Sequence, residues 1–288
     1  MGTSMPSPYR SAILLLLTVV LVIGNTLVYR ALLKSPTLHV SFLNVGQGDA
    51  IFIQGPTGRD MLIDGGRDRS VLRELPKVMG PLDRNIAMIV ETHPDADHVG
   101  GLAGVLKNYA VSAFLTSHIE SDTKTVAGLL DAVGKEKGMA VLDARRGMRL
   151  DLGGGAYAEV LFPDRDVSTV ETNTGSIVLR IVYGSTEFML TGDSPSAIED
   201  WLVTLDGDAL SSDVLKAGHH GSRTSTDDAW LSAVSPSVVV ISAGKDNSYG
   251  HPHAEVLERV RAHSAGIVST AEKGTITFTS NGTTISKK

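Results

Sequence analysis

The sequence predicts an α/β domain of two mixed sheets packed together with helices outside, preceded by one N-terminal membrane helix. Three observations carry this. Apolar runs of strand length alternate with helical stretches from Thr37 onward. Both halves of that stretch run strands first and helices after, with polar motifs at the strand ends, which suits a two-sheet sandwich. No linker-like composition divides the chain after Pro36. The expected units are therefore residues 1–36 and residues 37–288.

The first element is AILLLLTVVLVIGNTLVY, Ala12 to Tyr29, whose length matches the ~17–25 residues of a spanning helix. It has no polar face, which disfavours a buried core helix. No small-x-small cleavage site follows, because LVYRALLKS is bulky and basic. An uncleaved signal anchor is the expectation, with the body outside the cytoplasm. Arg10 lies on one side and Arg30 and Lys34 on the other, so the positive-inside rule barely separates the orientations.

Ser35-Pro36 ends this segment. LHVSFLNV alternates apolar and polar positions as a half-buried strand does, and AIFIQG and DMLIDGG follow it, joined by the turn GPTG. VLRELPKVM reads as a helix that Pro76 shortens or kinks. NIAMIV is a buried strand, and VGGLAGVLKNY reads as one helix that tolerates its glycines. VSAFLTS and MAVLDA are strands on either side of the helix TKTVAGLLDAVGKEKG. MRLDLGGGAYAEVLFP is a strand pair turning at Gly153 to Gly155, and SIVLRIVYGSTEFMLTGD is a hairpin turning at Tyr183 to Thr186. Three helices, SAIEDWLVTL, DDAWLSAV and HAEVLERVRAHS, then alternate with the strands SDVLKAG and SVVVISAG. The short strands GIVST and TITFTS come last.

Composition narrows the function. A chain of 288 residues, 42% hydrophobic, can bury one large core or two small ones. A net charge of −6 argues against nucleic-acid binding by bulk charge, but leaves room for a local basic rim. There are no cysteines, which excludes disulfides, thiolate ligands, a cysteine nucleophile and a lipoprotein anchor.

NIAMIV runs straight into ETHPDADHVGG, which sets two histidines and two aspartates within His93 to His98. Left unpaired at a buried strand end, these groups would be costly. Alternate residues of an extended segment point the same way, so His93, Asp95 and Asp97 can share one side. His98, starting the next helix, can turn back toward the same centre. A helix cap would explain Asp97 alone; a divalent metal explains the whole set. Asp193 in FMLTGD ends another apolar strand, where a turn aspartate before a helix is an equal reading of the residues. KAGHHGSRTS places His219 and His220 after a third strand. Neighbours on an extended chain point apart, so one is expected as ligand and the other as a substrate-facing or supporting group. YGHPHAEV brings His251 and His253 around Pro252 ahead of a helix.

THPDADHVGG resembles the metallo-β-lactamase superfamily signature, histidine-x-histidine-x-aspartate-histidine, with Asp95 in the second place. FLNVGQGDAIFI, MLIDGG, LTGD, LKAGHHGS and ISAGKDNSYGHPH follow in the order of the ComEC-type competence-protein hydrolase-like domain and its free-standing relatives. The single hydrophobic segment sets the chain apart from a many-helix DNA channel.

The resemblance implies an αββα sandwich with a centre for two divalent ions, zinc or manganese. Its expected ligands are His93, Asp95, Asp97, His98, a bridging Asp193, His219 and His251. Asp97 and His220 are the expected catalytic residues, His220 protonating the leaving group. Asp64 would orient a ligand histidine, while Asp49, Asn173, His253 and Lys216 would line the substrate side or support the ligands. Asn173 and Ser176 stand where many members carry another histidine, so one from HHGS is expected to replace it. Asp95 in place of imidazole makes the centre harder and more permissive of manganese.

The implied reaction is hydrolysis of a phosphodiester, as by a DNA nuclease, through a two-metal-activated hydroxide. The expected partner is an anionic ester, single-stranded DNA among them, with the membrane engaged through the N-terminal helix and no obligate protein partner implied. Hydrolysis of another ester, such as a cell-envelope phosphoester, is a second reading. A membrane-tethered nucleic-acid-binding protein with structural metals is a third.

Overall fold

The computed structural model describes residues 8–32 and 36–287, with side chains described for residues 11–25 and 36–287. It divides into two units, Met1–Pro36 and Thr37–Lys288. The first holds one helix, α1 (Pro8–Leu32). Its large apolar side chains, Ile13 to Ile23, point to every side and are 45–68% exposed. Its polar side chains turn back on the helix: Thr18 donates to the Leu14 carbonyl and Asn25 to that of Leu21. Among the described residues no helix is long and apolar enough to cross a membrane. The described side chains of α1 cover about 22 Å, against a hydrocarbon core of about 30 Å. Arg10, Arg30 and Lys34, which flank the apolar stretch, lie outside the described side chains.

The second unit begins with six strands: β1 (Leu38–Phe42), β2 (Ile51–Gln54), β3 (Asp60–Ile63), β4 (Asn85–Glu91), β5 (Ala110–Thr116) and β6 (Ala140–Asp143). Among them lie the helices α2 (Val71–Val78), α3 (Ala96–Val99), α4 (Leu102–Asn108) and α5 (Lys124–Lys135). Seven more strands follow: β7 (Arg149–Gly153), β8 (Ala156–Phe162), β9 (Val178–Tyr183), β10 (Thr186–Leu190), β11 (Val214–Lys216), β12 (Val238–Ile241) and β13 (Gly266–Ser269). They are accompanied by α6 (Ser196–Asp206), α7 (Asp228–Val234), α8 (Ala254–Ala262) and α9 (Thr270–Lys273). Two strands, β14 (Ile276–Ser280) and β15 (Ile285–Lys287), return to the first sheet beside β1.

The sheet orders are β15-β14-β1-β2-β3-β4-β5-β6 and β13-β12-β11-β10-β9-β8-β7. In each, antiparallel pairing gives way to parallel pairing, at β3/β4 and at β10/β11. Between the sheets lies a shared apolar layer, with Phe42, Ile53 and Leu115 from one and Leu179, Phe188 and Val240 from the other. Outside the first sheet, Val71, Leu102 and Leu129 of α2, α4 and α5 cover Leu62 and Phe114. Outside the second, Leu202, Trp230 and Val256 of α6, α7 and α8 cover Met189 and Leu215. The layers are therefore αββα, as expected.

One helix departs from the sequence reading in a way that matters for the site. VGGLAGVLKNY is not continuous: α3 ends at Val99 and α4 begins at Leu102. A Cβ at Gly100 would lie 2.0 Å from the Arg67 carbonyl oxygen, and one at Gly101 would lie 2.1 Å from that of Gly65. The missing side chains let this corner rest directly on the loop after β3. Backbone bonds then knit three loops together: Gly65 N–H donates to His98 O, Gly66 N–H to Asp49 O, and Asp49 N–H to Asp97 O.

Candidate metal centre

The loops after β1, β3, β4, β10, β11 and β12 meet at one edge of the two sheets, bringing Asp49, His98, Asp193 and His220 together. Asp193 Oδ2 is the focus. It lies 3.3 Å from His98 Nε2, 3.3 Å from His220 Nε2, 3.7 Å from His219 Nε2 and 4.0 Å from His93 Nε2. Asp97 Oδ2 is 3.6 Å from His220 Nε2, and Asp95 Oδ2 is 3.8 Å from His93 Nε2. Asp49, His98, Asp193 and His220, all buried, offer ligand atoms within 4.8 Å of one another.

Hydrogen bonds to the outer ring nitrogens fix which nitrogen faces inward. His98 Nδ1 is 2.7 Å from Asp64 Oδ2, so its N–H is spent there. His220 Nδ1 donates to the Ser242 carbonyl at 2.8 Å. Thr92 donates its single hydroxyl proton to Asp64 at 2.7 Å, so at 3.0 Å it can only accept from His93 Nδ1. Thr224 donates to Ser222 and accepts, at 3.3 Å, from His219 Nδ1. With neutral rings, four Nε2 lone pairs would thus face one carboxylate oxygen, which can accept but not donate. His98 Nε2 and His220 Nε2 face each other at 3.3 Å. His93 Nε2, Asp49 Oδ1, Asn173 Oδ1 and His251 Nδ1 are buried with no hydrogen-bond partner. Only cations relieve such a set, and nitrogen with carboxylate oxygen suits zinc or manganese. The donor set therefore fits divalent metal.

Electrostatics agree. Burial pushes the His98 imidazole down, yet Asp193 and Asp64 outweigh it and hold it well above its ordinary value. His220 is raised in the same way, against burial, by Asp193 and Asp49. Burial would raise Asp193, but His220, His98 and Lys216 hold it well below the usual carboxylate range. Without metal, protons on His98 and His220 do the work of a cation. Lys216 is fully buried and closes the cluster from behind, 2.6 Å from Asp49 Oδ2, 3.4 Å from Asp193 Oδ1 and 2.8 Å from the Gly192 carbonyl.

The family profile described as the metallo-beta-lactamase superfamily matches residues 43–245. The chain belongs to the metallo-β-lactamase superfamily. It is 30% identical over 258 residues to ComE operon protein 3 of Bacillus subtilis, covering 83% of this chain and 33% of that protein. It is 29% identical over 263 residues to Recombination protein 2 of Haemophilus influenzae, covering 90% of this chain and 31% of that one. The chain thus spans about a third of the length of these curated relatives. Among solved structures, zinc-bound PqqB of Methylobacterium extorquens superposes with a TM-score of 0.54 at 10% identity, covering 80% of this chain and 97% of that one. The metallo-β-lactamase-fold protein YhfI of Bacillus subtilis gives 0.52 at 11%, covering 81% and 96%. These likenesses establish the fold.

Within this superfamily fold, the structure gathers His93, Asp95, Asp97, His98, Asp193 and His219, as the motifs suggested. Two expectations change. His219 and His220 do not point apart, because their φ angles are 47° and 56°, not extended, and this left-handed pair turns both rings toward Asp193. His220, expected to face the substrate, is the buried one, whereas the His219 side chain is 27% exposed. His251, expected as a ligand, lies beside the cluster, its ring centroid 5.3 Å from that of His219 and 6.3 Å from that of His220, with Nδ1 buried and unpartnered. Burial, with His219 and His220 beside it, lowers His251 to about 4, so its ring is neutral at pH 7.

The expected supporting residues divide. Asp64 does orient His98, and its own φ of 58° aims the carboxylate there. Asp49 and Lys216 sit inside the cluster and not at its rim. Asn173 opens a one-turn helix beside Thr172, which bonds Asp95. His253 precedes α8 and accepts the Arg223 N–H at 3.1 Å, away from Asp193. Sequence reasoning missed Thr92, Ser242 and Thr224. Each acts through a small polar group on an outer ring nitrogen, and nothing in sequence marks such a contact.

Proposed function

We propose that this chain is a metal-dependent phosphodiesterase that cleaves single-stranded nucleic acid and is tethered to a membrane through α1. The observation that carries the hydrolase reading is the ring of inward Nε2 atoms around Asp193. On this reading His93, Asp95 and His219 serve one ion and Asp97, His98 and His220 the other, with Asp193 shared. Asp49, Asp64, Asp95, Asp97 and Asp193 against Lys216 leave an excess of negative charge that two divalent ions would balance. Bound, such ions would supply Lewis acidity and a water that ionises near neutral pH. The chain's own part is to hold that geometry, to keep Asp193 ionised through Lys216, and to present a neutral His251 toward the substrate. His220, buried among ligands, leaves protonation of the leaving group to solvent.

The nucleic-acid reading draws on the competence and recombination proteins that the chain resembles. The tether draws on the exposed apolar girdle of α1 and its back-bonded polar side chains, with the second unit on the extracytoplasmic side. The test uses the full chain in detergent, with single-stranded DNA and bis(p-nitrophenyl) phosphate as substrates. Turnover is expected with manganese or zinc, lost on chelation and in Asp97→Ala and His98→Ala. A protein that carries its metals yet cleaves neither substrate would sink the hydrolase reading. Asp95→His should move the preference from manganese toward zinc.

A further inference from the structure

We infer a nucleotide-binding subsite beside the metal centre, built from Arg67, Tyr249 and the cavity that His251 lines. It rests on the phosphodiesterase reading above and names what flanks the scissile ester. Arg67 comes from the loop after β3 and Tyr249 from the loop after β12. Arg67 Nη2 donates to Tyr249 Oη at 3.1 Å and lies 4.0 Å from Asp97 Oδ2. One guanidinium thus bonds the Tyr249 hydroxyl and lies near Asp97 of the cluster. The Arg67 side chain is 49% exposed, which leaves the guanidinium accessible to a phosphate oxygen.

Tyr249 is the second part. Its ring stacks on His251, with centroids 5.6 Å apart and planes 23° apart, yet the residue is 53% exposed. An exposed tyrosine held flat by a ring beneath it and a guanidinium at its hydroxyl is a ready platform for a planar ligand. A base stacks on such a surface whatever its sequence.

The third part is a cavity of about 640 Å³ that His251 lines. Exposed Lys245 and Arg261 line it, with Glu272 as its one carboxylate, over an apolar wall that includes Leu257 and Ile267. Two bases against one acid leave its lining net positive. A polyanion with apolar flat groups, bent past His251, would set one base on Tyr249 and the next phosphate against Lys245 and Arg261. The site would therefore favour an oligonucleotide over a small diester, and a single strand over a duplex, whose bases are already stacked.

The test compares Tyr249→Ala, Tyr249→Phe and Arg261→Ser with the unaltered full chain in detergent. It measures kcat/KM on a ten-nucleotide single strand and on bis(p-nitrophenyl) phosphate. It also measures 2-aminopurine quenching when a strand carrying that base binds with calcium in place of the active metal. Tyr249→Ala should lower the oligonucleotide-to-small-diester ratio about fivefold or more, the low end for losing one base stack. Tyr249→Phe should keep the ratio, and Tyr249→Ala should abolish the quench. Arg261→Ser should weaken strand binding and flatten its salt dependence. Equal loss on both substrates, or Phe behaving like Ala, would overturn the subsite while leaving the hydrolase reading intact. A Tyr249-dependent quench in a protein that cleaves neither substrate would overturn the hydrolase reading and leave the subsite standing.

Discussion

The two halves of the second unit deliver the same kind of site edge by different means. In both, the sheet changes from antiparallel to parallel, at β3/β4 and at β10/β11, and an aspartate follows the strand before the change: Asp64 and Asp193. The first half hides its aspartate behind a ligand, as the partner of His98 Nδ1. The second half puts its aspartate in the centre, 3.3 Å from His98 and from His220. The strands after the change end in opposite charges, buried Glu91 on β4 and buried Lys216 on β11. Glu91, raised by burial to about 7, is only partly ionised near neutrality, whereas Lys216 stays charged against Asp49 and Asp193. One half therefore orients and the other neutralises. Similar topology fixes where chemistry can sit but not what each position does.

The strongest way to break this pairing is to remove the group both halves share. Asp193→Asn should lower kcat/KM by about 10³-fold or more, since it removes charge needed throughout the reaction. Metal analysis of the purified variant should also show less than the full complement. Loss of activity with unchanged metal content would mean that Asp193 does not join the two sides.

Lys216→Met tests the neutralising half. It takes away the lysine cation that faces both Asp49 and Asp193, and breaking such a buried pair costs about 3–5 kcal/mol. Chemical denaturation of metal-free protein should show that loss. Added divalent metal should restore part of it, because the freed carboxylates still want positive charge. An unaltered midpoint would remove Lys216 from the account.

Asp64→Asn tests the orienting half, and here the halves should differ. His98 is held by a side chain, whereas His220 is held by the Ser242 backbone carbonyl, which no substitution of Ser242 removes. Asp64→Asn should weaken metal binding about 10–100-fold, the usual scale for a partner behind a ligand. Ser242→Ala should change affinity little, and titration calorimetry separates the two.

The smallest effect concerns pH. The raised His98 and His220 stabilise the metal-free fold fully below their unfolded pKa of about 6.5 and lose that contribution as pH rises through their folded values. The lowered Asp193 contributes above about 4 and loses it as pH falls through its folded value. Glu91 and Glu199, raised to about 7 and about 8 by burial, lose stability as pH climbs from about 4.5, with or without metal. Above about pH 6.5 the melting-temperature gap between metal-loaded and metal-free protein should therefore widen steadily. A constant gap would mean that metal does not replace those two protons.

The contiguous half of the site was legible because one strand end carries it. His93 to His98 lie within six positions, and a period of two followed by a helix start is enough to aim them. The layered fold was legible for the same reason, since strand and helix periods show directly in hydrophobic pattern. The other half was less so. The pair His219 and His220 looked divergent because an extended backbone was assumed, and two consecutive left-handed residues are rare enough that pattern gives no warning. Helix continuity through Gly100 and Gly101 was misread because the reason for a break lies in Arg67 and Gly65, over thirty residues upstream.

By itself, then, the sequence determined the residue types of the centre, the strand ends that bear them and the absence of thiolate chemistry. Those depend on local periodicity and composition. Tertiary structure alone decided that Lys216 and Asp49 close the centre from within, that His219 and His220 both turn toward Asp193, and that Arg67 meets Tyr249 across its mouth. Each of those contacts spans two loops far apart in the chain. Their distances follow from how two sheets pack, which no local pattern encodes.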